Sequence, residues 1–191
     1  MARVERARGG GRRSARSGSG RRPDGRDACI FCRIVAGEAP ASVVFEDART
    51  LAFMDINPVR PGHVLVIPKA HRPQIWHLGD AEFSAVYRRL PSLVRALARA
   101  TRADAIDVFN LNGPAGGQTV FHLHVHLVPV HRETSPVRRK GRGVTLTFEQ
   151  QRVERHELNR IARRIRARLR TEPRVGDPRR PPAREGDRHT G

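Results

Sequence analysis

The sequence predicts an α+β fold: a five-stranded antiparallel sheet with a long helix packed on one face, a C-terminal helix, and disordered termini. Three observations predict it. Short apolar or alternating runs with strand character fall at residues 42–46, 50–55, 63–68, 105–110 and 120–130. Residues 80–103 carry Phe83, Val86, Tyr87, Leu90, Leu93, Val94 and Leu97 at three- and four-residue steps, the stripe of an amphipathic helix. The order of three strands, a long helix and two strands points to an antiparallel sheet with that helix laid across one face.

Each element has its own signature. Strands 42–46 and 50–55 flank a short turn at 47–49, and HVLVIP at 63–68 is apolar enough to be central. Pro91 is expected to kink or locally break the long helix, because proline lacks the N–H that the helix needs. Residues 150–169 form a second helical pattern on Val153, Leu158, Ile161, Ile165 and Leu169. Its other face is strongly basic and reads as a solvated surface, with RNA or an acidic partner as the alternative.

The chain of 191 residues suits one domain with extra segments at its ends. Residues 1–27 are rich in Arg, Gly and Ser, and 172–191 are equally unpatterned. Neither can bury enough apolar surface to offset the entropy of ordering. The expected organisation is a tail at 1–27, the main folded domain at 28–131, a basic linker and helix at 132–171, and a tail at 172–191. No apolar run reaches membrane-span length, and the basic N-terminus lacks the apolar stretch of a secretory signal. The cytoplasm is therefore the expected location, with no membrane partner.

The formal net charge is +18, but residues 1–27 contribute +6, 132–191 contribute +10, and the middle only +2. The excess sits on the ends. All but two of the 37 basic residues are Arg, the exceptions being Lys69 and Lys140. That skew reads as compositional bias of a GC-rich genome. Weak, non-specific nucleic-acid contact through phosphates is the functional alternative. The tails contain no aromatic residue for stacking bases, which argues against a dedicated single-strand binder.

The chemistry concentrates at His122, His124 and His126, in HLHVHLV. On a strand, alternate side chains share a face, so the three imidazoles line up and Leu123, Val125 and Leu127 face the core. A polar strand face and a three-histidine metal site are the competing readings. Upstream lies Asn112-Gly113-Pro114-Ala115-Gly116-Gly117-Gln118-Thr119. Glycines let successive backbone amides approach an anion closely, so this loop can cradle a phosphate beside the strand. A neutral imidazole is a competent nucleophile near neutral pH, and its product is a labile phosphoramidate. The sequence has no Walker-type lysine loop and no obvious carboxylate cluster for magnesium, which favours a covalent histidine over metal-assisted transfer. The two cysteines, Cys29 and Cys32, form one C-x-x-C that suggests metal or redox chemistry rather than a structural disulfide.

FNLNGPAGGQTVFHLHVHLVP, together with CIFCRIVAGEAP and VVFEDARTLAFMDINPVRPGHVLVIPKAH, resembles the histidine-triad nucleotide-binding and hydrolase superfamily, in its zinc-carrying bacterial-type branch. The resemblance spans about residues 28–129. It implies that His124 attacks an α-phosphate to form a nucleotidyl-histidine and that His126 contacts the phosphate. Gln118, Thr119 and the Gly117 backbone would hold phosphate oxygens and the leaving group, with Asn112 against the phosphate. Asp55 would bind the ribose hydroxyls, with Phe53 and Ile56 flanking the nucleoside and Ile30 or Ile34 lining the base. It implies structural zinc on Cys29, Cys32, His71 and His122, and no catalytic metal. It also implies a homodimer joined through the long helix and a sheet edge. The substrates implied are purine nucleoside phosphoramidates or dinucleoside polyphosphates. The alternative is a nucleotide-binding regulatory module with little activity whose basic tails engage RNA. One departure falls after the triad, where Pro129 is followed by Val130-His131-Arg132 rather than directly by arginine. His63, His77, His131, His156 and His189 are expected to be ordinary residues.

Overall fold

A computed structural model of the protein describes Gly25 and residues 28–134, 137–140, 143–146 and 149–172. Five strands form one antiparallel sheet: β1 (Val43–Glu46), β2 (Thr50–Met54), β3 (Val64–Pro68), β4 (Ala105–Asn110) and β5 (Val125–Val130), in the order β1-β2-β3-β5-β4. β2 and β3 are buried along their whole length, as their apolar composition requires of central strands.

The long helical pattern is two helices, α2 (Asp80–Tyr87) and α3 (Leu90–Thr101). Pro91 lies in the first turn of α3, where its missing N–H costs nothing, so the break comes just before it. α3 and α4 (Arg155–Leu169) cover one face of the sheet. There Leu93, Leu97, Leu158 and Ile165 pack against Met54, Val66 and Leu127. Phe83, expected in the buried stripe, is 44% exposed and stacks on Tyr87 instead.

Five further differences separate the structure from these expectations. A short helix, α1 (Ile30–Val35), was not anticipated; it packs on the opposite face with Phe31 against Phe53. The expected strand at 120–130 begins only at Val125, because the ladder with β3 starts where Val125 pairs with Val66. The stretch read as a basic linker contains a hairpin, β6 (Val137–Lys140) and β7 (Gly143–Leu146). α4 starts at Arg155 rather than at 150, after an extended approach. Glu172, assigned to the tail, buries its side chain and accepts hydrogen bonds from Arg95 and Arg99 of α3. The expected tails at 1–27 and 172–191 lie outside the described residues except for Gly25 and Glu172. No described helix is long and apolar enough to cross a membrane.

One glycine is required by the packing that leads into β3. Gly62 has φ of 108°, and a Cβ there would meet Pro129 Cγ and Thr101 Cγ2 at 2.9 Å. Gly62→Ala is expected to destabilise the fold by about 2 kcal/mol through strain and overpacking. Urea unfolding checks this, and an unchanged midpoint would show that Pro129 and Thr101 give way.

Candidate active site

A cavity of about 520 Å³ opens on the sheet face opposite α3 and α4. The triad strand, the glycine loop and α1 meet there. Phe53, Asp55, Ile56, Gly117, Thr119, His124 and His126 line it, as do Ile30 and Ile34. Ile30 and Ile56 remain 41% and 55% exposed, apolar surface left uncovered by the fold itself.

The triad does not act as one row of imidazoles. His122 lies before β5 and turns away from His126 to join Cys29, Cys32 and His71. The four donor atoms lie within 4.8 Å of one another. His122 Nδ1 is 3.6 Å from Cys29 Sγ and 3.5 Å from Cys32 Sγ, and His71 Nδ1 is 3.2 Å from Cys32 Sγ. Tetrahedral zinc with ordinary Zn–S and Zn–N bonds sets an S–N separation of about 3.5 Å, so the residues present fit that ion. The Nε2–H of His122 donates to the Pro68 carbonyl at 2.8 Å, which leaves the Nδ1 lone pair directed at the cluster. Two thiols and two imidazoles form the donor set of a closed structural site.

His124 faces the cavity. Its Nδ1–H donates to the His122 carbonyl at 2.7 Å, and Asn110 Nδ2 holds the His124 carbonyl at 2.7 Å. A carbonyl can only accept, so the neutral ring carries its lone pair on Nε2. Burial is the main influence lowering the His124 pKa, against the opposing pull of the His122 carbonyl and Asp55. The ring is therefore neutral, the protonation state a nucleophile needs.

His126 is fixed differently, and through a residue set aside as ordinary. His63, at the entry to β3, is 2% exposed, and its Nε2 lies 2.9 Å from His126 Nδ1. The amide N–H of Val59 donates to His63 Nδ1 at 3.3 Å. The same nitrogen lies 3.3 Å from Asp55 Oδ2, which only accepts; with the Val59 bond made, His63 donates from Nε2 to His126 Nδ1 and His126 carries its proton on Nε2, whereas a proton held toward Asp55 reverses the sequence. His126 Nε2 is buried and has no hydrogen-bond partner among the described residues, while the ring stacks on Phe109. A buried donor without a partner is costly unless a ligand satisfies it. The histidine of PGH, directly before an apolar strand that pairs with the triad strand, was the available signal for His63.

Asp55 uses Oδ1 to accept the Asn57 N–H at 2.9 Å, the Asx turn of a strand end, while Oδ2 lies 3.3 Å from His63 Nδ1. Gln118 and Asn112, expected against a phosphate, are instead occupied as loop braces. Gln118 accepts from Gly113 N–H and donates to the Pro73 and Val120 carbonyls. Asn112 accepts from Ile75 N–H and donates to Asn110. Both amides are spent on holding the glycine loop and the Asn110 side chain in place, and neither lines the cavity.

Burial pushes His63 down to about 4, with the His124 ring adding to it. Burial first, then His124 and His63, push His126 down to about 3 against the pull of Asp55. These folded values lie below the unfolded histidine value near 6.5, so between about pH 6.5 and 4 the unfolded chain binds protons that the native one refuses. Stability is then full above about pH 6.5 and falls on acidification by about 1.4 kcal/mol per pH unit for each ring. Urea unfolding of wild type and His63→Gln between pH 7 and 4.5 checks this. Equal pH slopes would show that His63 is not buried neutral.

The HIT domain family model matches residues 36–133. The Bacillus subtilis protein named "Protein hit" is 40% identical over 101 residues, covering 53% of this chain and 70% of that protein. The Arabidopsis thaliana protein named "Adenylylsulfatase HINT3" is 37% identical over 101 residues, 53% of this chain and 51% of that one, so the likeness spans only half of the plant protein. Among solved structures, a zinc-bound histidine-triad family protein from Mycobacterium smegmatis superimposes with a TM-score of 0.62 at 32% identity, over 77% of this chain and 96% of that one. The sheet, the triad and the match over half the chain's length agree: this chain belongs to the HIT-domain family of the histidine-triad superfamily.

Proposed function

We propose that the protein is a nucleotidyl hydrolase or transferase that acts at an α-phosphate through a covalent nucleotidyl-His124, on purine nucleoside phosphoramidates or dinucleoside polyphosphates. The observation that carries this reading is a pair of imidazole nitrogens facing one cavity: His124 Nε2, left with its lone pair because Nδ1–H is spent on the His122 carbonyl, and His126 Nε2, buried with no partner among the described residues.

The steps follow from those two nitrogens. His124 Nε2 attacks phosphorus, the bond from phosphorus to the leaving group breaks, and the leaving atom is protonated from solvent. His126 Nε2–H donates to a phosphate oxygen as negative charge builds there. Water then attacks the nucleotidyl-histidine, the P–N bond breaks, and a nucleoside monophosphate leaves. Gly117 and Thr119 line the phosphate end, while Asp55 faces the ribose and Phe53, Ile30, Ile34 and Ile56 enclose the base. Gln118 and Asn112 serve this site by holding the glycine loop rather than by touching substrate. The name of the plant relative supports nucleotidyl chemistry of this kind.

Cys29, Cys32, His71 and His122 would hold one structural zinc, which supplies a rigid cross-link and no catalytic step. We place a homodimer contact on the β4 edge of the sheet, where Val108 is 46% exposed. Sedimentation that finds only monomer at micromolar concentration rejects that contact.

A hydrolysis panel tests the function: adenosine and guanosine phosphoramidates, dinucleoside polyphosphates and adenylyl sulfate, with acid-quenched mass spectrometry of the protein. A single nucleotidyl adduct on His124 is expected. Nucleotide binding with neither turnover nor adduct would instead favour a regulatory binding module.

A further inference from the structure

The nucleoside end of the cavity is completed by residues that lie outside the stretch matching the family. That match ends at residue 133, yet Gln150 and Arg155 line the cavity. Two anchors bring them there. The Gln151 N–H donates to the Pro58 carbonyl at 2.7 Å, which lays the approach to α4 over the connection between β2 and β3. Arg155, the first residue of α4, reaches the Pro40 carbonyl with Nη1 at 3.5 Å. α4 itself is fixed, since Leu158 and Ile165 are buried in the core and Ser42 Oγ donates to Asn159 Oδ1 at 2.6 Å.

Ile30, Ile34 and Ile56 supply apolar surface for the faces of a base. Such surface does not tell bases apart, because every base has a π-face. Discrimination needs donors and acceptors along the base edge. Of the polar side chains lining the cavity, Asp55, His63, His124 and His126 are engaged with one another or with the backbone, and Thr119 sits in the glycine loop. That leaves Asn57, Gln150 and Arg155 to meet a base, and of these only Arg155 is purely a donor. An arginine only donates, whereas an amide both donates and accepts. Guanine presents two acceptors, N7 and O6, on its Hoogsteen edge; adenine presents one acceptor and one donor there.

We propose that Gln150 and Arg155 form the base-reading edge of the nucleoside pocket, and that Arg155 makes the pocket favour guanine over adenine. This rests on the nucleotide reading of the cavity given above. The specificity of the protein for its base is then set by the segment following the β6–β7 hairpin rather than by the triad or the glycine loop.

Calorimetric titration of GMP and AMP into wild type, Arg155→Met, Arg155→Lys and Gln150→Ala tests it. Wild type is expected to bind GMP about tenfold more tightly than AMP, the size of one good arginine–guanine contact. Arg155→Met should abolish that ratio by weakening GMP alone, Arg155→Lys should keep part of it, and Gln150→Ala should weaken both nucleotides. A partly unfolded variant would lower the binding-competent fraction for both nucleotides and leave their ratio unchanged. A ratio that is the same in wild type and Arg155→Met overturns the proposal. If the ratio shifts as expected but no nucleotidyl-His124 forms in wild type, base reading stands and the catalytic reading falls. If neither nucleotide binds, both fall.

Discussion

Replacement of His124 by asparagine is expected to lower turnover of a nucleoside phosphoramidate by about 10⁴–10⁶-fold, the upper end being the loss seen when a covalent nucleophile is removed outright. Asparagine can keep a donor toward the His122 carbonyl but has no imidazole lone pair to offer. Binding should change little, because the apolar walls around Ile30, Ile34 and Ile56 are untouched. The loss should therefore appear in kcat rather than KM. The matching variant His126→Asn removes the unsatisfied Nε2–H and not the nucleophile. It should still form the nucleotidyl-protein, more slowly by about 10²–10³-fold, the range for a single lost oxyanion donor. Single-turnover kinetics with trapping of the adduct separates the two. Wild-type turnover in His124→Asn would refute the assignment of the nucleophile.

Disrupting the cluster of cysteines and histidines is expected to have the second largest effect. Wild type should contain about one zinc per chain, and Cys29→Ser should lose it. The consequence extends beyond the ion. Cys29 and Cys32 bracket Phe31, whose ring packs at 5.8 Å from His122, 5.3 Å from His124 and 5.4 Å from Phe53. The carbonyl that fixes the His124 tautomer belongs to His122 itself. Without the cross-link, α1 loses its tether and the nucleophile loses its orientation. A structural zinc is worth about 10–16 kcal/mol where a small fold depends on it. Here the α3–α4 face has its own core, so the loss should be smaller, on the order of 3–5 kcal/mol, and accompanied by at least about a tenfold loss of activity. Metal analysis, thermal melting and phosphoramidate hydrolysis on the same preparations check this. Stoichiometric zinc retained by Cys29→Ser would show that the ligand set is wrong.

Much of this fold was legible because its patterns are local. The strand runs, the amphipathic stripes on Leu93, Leu97, Leu158 and Ile165, and the break before Pro91 follow from side-chain period and from proline's missing N–H. The candidate site was legible as residue types, since alternating histidines after a glycine-rich loop have little value for packing. Its division of labour was not legible. Strand periodicity placed His122, His124 and His126 on one face, but β5 begins at Val125 and His122 turns toward Cys29, Cys32 and His71. Gln118 and Asn112 looked like phosphate ligands, and their hydrogen bonds go to the loop backbone and to Asn110.

By itself, the sequence determined the strands, the main helices, the C-x-x-C pair and the alternating histidines after a glycine-rich loop, which depend on composition and on spacings of a few residues; the pairing of those cysteines with His71 and His122 came from the family resemblance. Only the tertiary structure decided which nitrogen of each imidazole carries a proton. That depends on the local chain path, which turns the His122 carbonyl onto His124 and sets the Val59 N–H and the Asp55 carboxylate against His63 Nδ1, and on the sheet pairing that brings His63 to His126. It likewise decided that Gln150 and Arg155 reach the cavity, because the hydrogen bond at Pro58 and the burial of α4 bring them there across more than ninety residues of chain.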